Sequence, residues 1–387
     1  MAIIKLGRRQ FLKTGAVAAL GVYVTRSTGW AHPALERTLY IGTYTAGNSE
    51  GIYIYRMNQA TGQLKRFNSV KSVNPSFLAI NSNRRHLYAV NEVADFGGKS
   101  SGAVSSFAIE PVNGNLKFLN QQSSLGADPC HLTLDRRGRY LLVANYTGGS
   151  VSILPVQRGG VLGPAMDVLQ HQGASIKEQQ KGPHAHCIIL DPSERYALAA
   201  DLGIDKVMVY RFDARTGKLR PASEPSVSLK PGAGPRHLTL HPSGKYAYVI
   251  NELDSTMSAF RYSSVNGSLS LIDTVSTLPS SFSGRSYCAD VHVSPSGKFL
   301  YGSNRGHDSI VTFAIDEGTG RLTFLETVST KGKWPRNFAI DPTGRFLLVA
   351  NQHSENVVTF KIDQDTGRLL DSGYVEEIPT PVCLRFA

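Results

Sequence analysis

Short apolar runs and polar turn residues alternate along most of the chain at regular intervals. In Gly234–Glu252, for example, one apolar run is followed by the turn His241-Pro242-Ser243-Gly244 and then by a second apolar run. Segments of this length that are rich in Val, Ile, Tyr and Phe, and bounded by Gly, Pro and Asp, are typical of β-strands. The pattern therefore predicts an all-β chain.

This two-strand pattern recurs along the chain as an internal repeat. Related segments are Asn74–Glu92, Asp128–Tyr146, Ala185–Leu202, Cys288–Arg305 and Trp334–Gln352, and a truncated copy ends the sequence at Thr380–Ala387. The positions equivalent to Pro235, here called the Pro positions, are 75, 129, 185, 235, 288, 335 and 381, which are 46 to 56 residues apart. Four-stranded units that repeat at this interval are typical of propeller blades.

The two ends of the repeat array are truncated in complementary ways. The first unit begins at Thr38–Tyr44 and lacks an opening strand, whereas the last unit consists of little more than Val382–Phe386. The last strand is therefore predicted to complete the first blade and to remove an open sheet edge. We predict a seven-bladed β-propeller of four-stranded blades over residues 32–387, and not an open solenoid.

Residues 1–31 carry a different pattern. The pair Arg8 and Arg9 lies just before the apolar run Thr14–Val24, and small residues precede a possible cleavage point after Ala31. This arrangement is typical of a twin-arginine signal peptide, which directs folded proteins across the bacterial inner membrane. It predicts export to the periplasm by the twin-arginine machinery, with no membrane anchoring after cleavage. A basic amphipathic helix is the alternative.

The net charge of +11 first suggests a nucleic-acid partner. Five of the 41 Lys and Arg residues and none of the 30 Asp and Glu residues lie in residues 1–31, so removing this segment lowers the net charge to +6. The other basic residues are spread over all the repeats, whereas nucleic-acid binding needs them on one face. The sequence therefore predicts no nucleic-acid partner, and it contains no apolar stretch of 18 residues.

Polar residues recur at equivalent points of the repeats. The residue 16 positions after each Pro position is Asn or Asp in all six complete units: Asn91, Asn145, Asp201, Asn251, Asn304 and Asn351. We interpret this Asx ring mainly as turn chemistry, because these side chains bond to nearby backbone amides. The residues directly after the Asx ring and after the Pro positions differ from one repeat to the next. Six of them are ionisable and are predicted to converge at one mouth of the channel, as a small-molecule site needs. They are His186, Arg236, Arg336, Glu92, Glu252 and Arg305.

Several other residues allow alternative chemistry. His184 and His186 with Asp201 could bind a metal, but no third His or Cys stands at ligand spacing, so we predict no metal and no cofactor. Cys130, Cys187, Cys288 and Cys383 begin inner strands of different blades and are expected to be buried free thiols. Cys187 beside His186 is an alternative nucleophile.

Three further histidines lie on the same face of the predicted propeller. The long polar connection from Arg158 to Gly182 contains His171, which has no assigned role, and this connection is expected to overhang the mouth. His131 and His237 follow their Pro positions by two residues and are expected to be structural imidazoles with satisfied hydrogen bonds.

The chain from residue 39 to 387 resembles the seven-bladed propeller lactonases, which include 6-phosphogluconolactonases and carboxy-cis,cis-muconate cyclases. The resemblance is strongest in Gly182–Tyr210, Gly234–Ser255, Ser303–Ile310 and Trp334–Gln352. It implies that the site contains His184 or His186, together with Arg236, Glu252 and Arg305. The export signal departs from the family's phosphogluconolactonases, which serve a cytoplasmic pathway.

The resemblance and the repeat together predict a hydrolase of sugar lactones. The expected base is Glu252 or His186. Arg236 and Arg305 are expected to bind the carbonyl oxygen or an anionic group of the substrate. Further expected substrate contacts are His184, Asp201, Asn251, Glu92 and Arg336. The expected substrate is an aldonolactone such as gluconolactone. The expected oligomeric state is a monomer or weak dimer. A lactone-forming cyclase of the muconate type and a non-catalytic binding propeller remain alternatives.

Overall fold

Each sequence repeat folds into a four-stranded antiparallel sheet. The computed structural model describes residues 35–387, so the predicted signal peptide lies outside the described residues. Within these residues seven such sheets form the blades of a propeller, which confirms the predicted fold class. None of the described residues belongs to a helix that is long and apolar enough to cross a membrane.

The strands of the first four blades are as follows. Blade 1 contains β1 (Glu36–Thr43), β2 (Gly51–Asn58) and β3 (Leu64–Lys71), and blade 2 contains β4 (Leu78–Ile80), β5 (His86–Asn91), β6 (Ala103–Ile109) and β7 (Leu116–Ser123). Blade 3 contains β8 (Pro129–Leu134), β9 (Tyr140–Asn145), β10 (Ser150–Pro155) and β11 (Asp167–Gln170), and blade 4 contains β12 (Ala185–Leu190), β13 (Tyr196–Asp201), β14 (Lys206–Asp213) and β15 (Lys218–Ser228).

The remaining strands continue this order. Blade 5 contains β16 (Pro235–Leu240), β17 (Tyr246–Asn251), β18 (Thr256–Tyr262) and β19 (Leu269–Ser276), and blade 6 contains β20 (Tyr287–Val293), β21 (Phe299–Arg305), β22 (Ser309–Ile315) and β23 (Leu322–Ser329). Blade 7 contains β24 (Pro335–Ile340), β25 (Phe346–Asn351), β26 (Asn356–Ile362) and β27 (Leu369–Glu377), and β28 (Pro381–Phe386) follows. Two short 3-10 turns cover Arg158–Gly160 and Glu178–Gln180.

The last strand closes the ring as predicted. β28 pairs with β1 in antiparallel register, with Leu39 opposite Phe386 and Ile41 opposite Leu384. Leu384 is fully buried, and it packs in a core cluster that joins blades 1 and 7. Strands from the two ends of the propeller thus share one sheet, which leaves no open inner edge in blade 1.

The turns before the outer strands lock neighbouring blades together. Gly217 in the Thr-Gly-Lys-Leu turn of blade 4 has a φ of 67°, a left-handed conformation that favours glycine. A Cβ atom added there would lie 2.1 Å from the Tyr140 ring of blade 3. Gly320 approaches Tyr246 of the preceding blade in the same way. The repeated Thr-Gly motif is therefore a contact between blades as well as a turn.

A β-bulge interrupts each inner strand near its start in six of the seven blades described. In blades 3, 4, 5 and 7 the pairing with the second strand skips one residue just after the Pro position, and similar skips occur in blades 6 and 1. The residues left unpaired in blades 3, 4, 5 and 7 are Cys130, His186, Arg236 and Arg336. A bulge re-aims the side chain of the extra residue, so this irregularity directs these residues to one mouth of the channel.

The Asx ring has the structural role that its repetition predicts, but with different partners. The side-chain amide of Asn145 donates to the Ser124 carbonyl at 3.3 Å, and that of Asn304 donates to the Thr277 carbonyl at 3.0 Å. These carbonyls belong to the segment that arrives from the preceding blade, and not to the local turn. Asn145 and Asn304 therefore fix connections between blades.

Replacing Leu384 with alanine tests the closure of the ring. We expect the free energy of unfolding to fall by ~2–5 kcal/mol, because the variant leaves a cavity between blades 1 and 7. Leu370→Ala is the matched control, since Leu370 is 52% exposed on an outer strand, and it should change stability by no more than ~0.5 kcal/mol. Urea unfolding measures both, and equal stabilities would show that β28 does not close the ring in solution.

Candidate active site

A pocket of about 240 Å³ opens at the mouth to which the bulges point. All seven blades contribute to its wall, which consists of Tyr44, Glu92, Cys130, Tyr146, His186, Glu252, Arg305 and Arg336. We call this cavity the mouth pocket. Five of the nine predicted site residues line it, either at a bulge or directly after the Asx ring. These five residues therefore meet at one channel mouth, as the spacing of the repeat predicts.

Two arginines hold the Glu252 carboxylate. Its Oε2 atom lies 2.9 Å from Nε of Arg236 and 2.8 Å from a terminal guanidinium nitrogen of Arg305. Burial alone would raise the pKa of Glu252, but the positive charges of Arg305, Arg236 and Arg336 lower it below its ordinary value. Glu252 is therefore an ionised group whose negative charge is already engaged by cations.

Arg236 lies beneath Glu252 and is not part of the wall of the mouth pocket. Its side chain is 2% exposed, and it also donates to the Ala289 carbonyl at 2.6 Å. Burial is the main reason that its pKa falls to about 10, which still leaves it charged at neutral pH. Arg236 thus acts on the pocket through Glu252.

A second charged pair occupies the opposite wall. Glu92 accepts a hydrogen bond from the Tyr44 hydroxyl at 2.9 Å, and Arg336 lies 3.7 Å from the same carboxylate oxygen. The Arg336 guanidinium lies 5.2 Å from the centre of the Tyr44 ring. The second oxygen of Glu92 is buried and has no hydrogen-bond partner among the described residues. This wall retains donors and acceptors that a polar ligand can use.

His186 is a neutral imidazole at the base of the mouth pocket. Its pKa lies well below 6.5, mainly because the ring is buried and then because Arg236, His237 and Arg336 oppose a positive charge on it. Its Nδ1 atom is buried and has no partner within residues 35–387. A neutral imidazole with a free nitrogen can accept a proton.

Three predicted contacts lie outside the mouth pocket. His184 stacks on Tyr146 with ring centres 4.5 Å apart, and its backbone amide donates to Asp201 at 2.7 Å. Asn251 donates to two hydroxyl groups of strand β18. Asp201 and Asn251 are the last residues of their strands. The Asn251 side chain bonds within its blade, and that of Asp201 accepts from nearby backbone amides and contacts the connection from blade 3. Glu252, the residue that follows Asn251, reaches the pocket.

His171 explains why blade 4 carries Asp instead of Asn in the Asx ring. Its Nδ1 lies 2.6 Å from an Asp201 carboxylate oxygen, and the Tyr210 hydroxyl lies 2.8 Å from its Nε2. The connection that carries His171 also contains β11, the outer strand of blade 3. None of the eight residues that line the mouth pocket belongs to it. This connection therefore supplies the short outer strand of blade 3 and a contact to blade 4, and no side chain to the wall of the mouth pocket.

A second ring of residues, two positions after the Pro positions, lines the channel below. It includes Asp290, which was not among the predicted site residues and lies 2.7 Å from Nδ1 of His237, 3.0 Å from Nε2 of His292 and next to the Asn337 amide. The sequence does contain a signal for this second ring, because Asp290 and Asn337 occupy the same repeat position as His131 and His237. His237 was expected to have both ring nitrogens satisfied. Its Nδ1 atom is bonded to Asp290, but its Nε2 atom is buried without a partner among the described residues.

The cysteines are buried and free, as predicted. Cys130, and not Cys187, lines the mouth pocket, and burial raises its pKa well above the ordinary value. Burial also raises the pKa of Cys187 to about 12, so neither residue provides a thiolate at neutral pH. Across residues 35–387, no three His, Cys, Asp or Glu side chains are grouped so that they could hold a metal ion.

Comparisons with known proteins identify similar chains. The chain is 40% identical over 348 residues to a 6-phosphogluconolactonase of Bacillus subtilis, which covers 90% of this chain and 97% of the relative. It is 37% identical over 311 residues to a 6-phosphogluconolactonase of Formosa agariphila, over 78% of this chain and 86% of the relative.

A solved structure is similar over most of its length. The periplasmic gluconolactonase PpgL of Pseudomonas aeruginosa superimposes with a TM-score of 0.87 at 37% identity, covering 91% of this chain and 99% of the other. Residues 38–386 match the family model described as lactonase, 7-bladed β-propeller. With its seven-bladed fold and these relatives, the chain belongs to the seven-bladed β-propeller lactonase family and is a lactonase.

Proposed function

We propose that this lactonase hydrolyses an unphosphorylated aldonolactone, such as gluconolactone, in the periplasm, with His186 as the general base. The observation that carries the proposal is a neutral, buried imidazole with an unpartnered nitrogen, which shares a small pocket with two arginines. Ester hydrolysis needs a proton acceptor for water and positive charge where the oxyanion develops.

The reaction follows from these groups. His186 takes a proton from water as the water oxygen attacks the lactone carbonyl carbon. Arg336 stabilises the oxyanion, because its only ion pair among the described residues is the 3.7 Å contact with Glu92. The ring C–O bond then breaks, and the imidazolium returns its proton to the alkoxide. The product is an open-chain hydroxy acid, which loses a proton to solvent at neutral pH.

Glu252 has a different role in this mechanism. Between Arg236 and Arg305 it is a weak proton acceptor, since both cations stabilise its ionised form. Its charge allows two guanidinium groups to lie close together. Arg305 is held in addition by the Tyr287 and Cys288 carbonyls, at 3.3 and 3.0 Å. We assign Glu252 to the positioning of Arg305 and His186 to the proton transfer.

Charge and size support a small substrate of low charge. Arg236, Arg305 and Arg336 face Glu92 and Glu252, so the site carries a net charge of +1 when His186 is neutral. One excess positive charge suits a single developing oxyanion better than a substrate with several carboxylates. The volume of about 240 Å³ lies below the ~300–1,000 Å³ of pockets for drug-sized ligands.

The predicted signal peptide supports the location and the lack of phosphate. Export would remove the enzyme from cytoplasmic phosphosugars, and the structurally similar PpgL is a periplasmic gluconolactonase.

Changing both Arg8 and Arg9 to Lys should remove lactonase activity from the periplasmic fraction. Retained periplasmic activity would contradict export by the twin-arginine route.

A substrate panel tests the proposed function. We expect purified protein to hydrolyse glucono-δ-lactone in the presence of EDTA, with a higher kcat/KM than for 6-phosphogluconolactone, because the pocket offers little unpaired positive charge for a phosphate. Activity on unsaturated dicarboxylates alone would favour the cyclase. Absence of turnover on every lactone would favour a binding propeller and contradict the proposal.

Substitutions of His186 and Glu252 separate the two candidate bases. His186→Gln should lower kcat by ~10²–10⁴-fold, the usual contribution of a general base. Glu252→Gln keeps a hydrogen-bond acceptor for the arginines and should lower kcat less. His353→Gln, at an exposed site on blade 7, is the control. A larger kcat loss for Glu252→Gln than for His186→Gln would make Glu252 the base.

The pH dependence of kcat/KM offers an independent test. His186 must be neutral to act, so activity falls as the pH drops through its pKa, and the acid limb should lie below pH 6.5. Arg336→Gln removes a positive charge that opposes the imidazolium, so the limb should move to higher pH. Arg345→Gln, an exposed change on the same blade, should leave it in place. An acid limb that does not move in Arg336→Gln would contradict the role of His186.

A further inference from the structure

The channel contains a small compartment beneath the mouth pocket, here called the middle compartment. Its wall consists of Ser76, Phe77, Cys130, His186, Arg236, His237, Arg336, Asn337 and Val382. It shares Cys130, His186 and Arg336 with the mouth pocket above. It shares Phe77 and His237 with a cavity of about 400 Å³ at the opposite mouth, here called the lower cavity. The middle compartment therefore lies between the mouth pocket and the lower cavity and shares wall residues with both.

Apart from Nε of Arg236, which lies 2.9 Å from the Glu252 carboxylate, three buried polar atoms of residues in the wall of the middle compartment have no hydrogen-bond partner among the described residues. They are the hydroxyl oxygen of Ser76, Nδ1 of His186 and Nε2 of His237. The three residues are 4%, 5% and 6% exposed, and the two imidazole ring centres are 5.2 Å apart. Buried polar atoms are nearly always hydrogen-bonded in folded proteins, to protein groups or to ordered water. Three such atoms around one compartment point to a ligand that bonds to all of them.

Asp290 determines what His237 can offer to that ligand. Its carboxylate lies 2.7 Å from Nδ1 of His237, and it also accepts from the Val291 backbone amide at 2.9 Å. The proton of the neutral His237 ring therefore lies on Nδ1, and Nε2 is a hydrogen-bond acceptor. The aspartate holds this ring in position in the way that a carboxylate orients a catalytic histidine.

The size of the middle compartment and its hydrogen-bonding groups match one water molecule. The volume is about 10 Å³, close to the ~10–15 Å³ at which a polar cavity begins to hold a water molecule. His186 Nδ1 and His237 Nε2 can accept the two protons of a water molecule, and the Ser76 hydroxyl can donate to one lone pair. The second lone pair of the oxygen then remains free for attack.

We propose that the middle compartment binds the water molecule that attacks the lactone, held by Ser76, His186 and His237, and that new water reaches it through the lower cavity. The proposal rests on the proposed lactone hydrolysis and supplies its nucleophile. One water proton passes to His186, the oxygen bonds to the carbonyl carbon, and the ring C–O bond breaks as His186 returns the proton. His237 is a positioning residue that binds the other proton of the water without taking it.

Two channel variants and a matched control test the proposal. His237→Phe removes the acceptor with little change in size, and Ser76→Ala removes the donor. His241→Phe is the control, because His241 is equally buried in the same blade but bonds to Ser243 and to the Gly297 carbonyl. We expect His237→Phe to lower kcat for glucono-δ-lactone by ~10-fold or more, with KM within a few-fold of wild type. Ser76→Ala should have a smaller effect on kcat, and His241→Phe should leave both constants unchanged.

A high-resolution crystal structure of the wild-type protein provides a readout besides activity. An ordered water molecule should lie within about 3.2 Å of all three atoms, and it should be lost or displaced in His237→Phe. If His237→Phe does not fold, His237→Gln serves instead, and the same water should move as kcat falls.

The outcomes separate this inference from the proposed function. Wild-type turnover with an unchanged kcat in both channel variants overturns the inference alone, as does a wild-type structure without water bonded to the three atoms. A wild-type protein without lactone hydrolysis overturns the inference and the proposed function together.

Discussion

The β-bulge near the start of the inner strands is the constraint on which the site depends. In a regular strand, side chains alternate between the two faces of the sheet, and in a propeller both faces pack against neighbouring blades. One extra residue breaks this alternation, and it does so at the same level in six blades. Chemically different side chains such as His186, Arg236 and Arg336 therefore meet around one axis, although their backbones are equivalent.

Buried charge is the main cost of this arrangement, and the pairing of the charges offsets it. An isolated buried guanidinium would lose its hydration without compensation. Glu252 lies between Arg236 and Arg305, and carbonyl groups of blade 6 accept further hydrogen bonds from both arginines. Burial, together with the positive charges of Arg236 and Arg336, lowers the pKa of His186 and keeps its ring neutral. In the proposed mechanism, cations that would stabilise an oxyanion therefore also favour a neutral base.

The sequence was sufficient to predict the fold and the channel mouth at which the charged side chains meet, because both follow from the spacing of the repeat. It was less informative where a contact joins two blades. The His171–Asp201 pair and the hydrogen bonds of Asp290 link residues that are far apart in sequence, and no periodicity relates them. His184 was misplaced for a similar reason. It precedes β12 and stacks on Tyr146, so it does not lie at the bulge that directs His186 to the pocket.

The shared sheet of blade 1 has a consequence for the order of events in folding. β1 and β28 are separated by more than 330 residues, so the ring can close only after the ribosome has released nearly the whole chain. Contacts over such long sequence distances are slow to form, because a large loop must close first. Until then both strands expose edges that favour association with other chains. If the predicted signal peptide directs export of the folded protein, this final pairing would occur in the cytoplasm, before translocation.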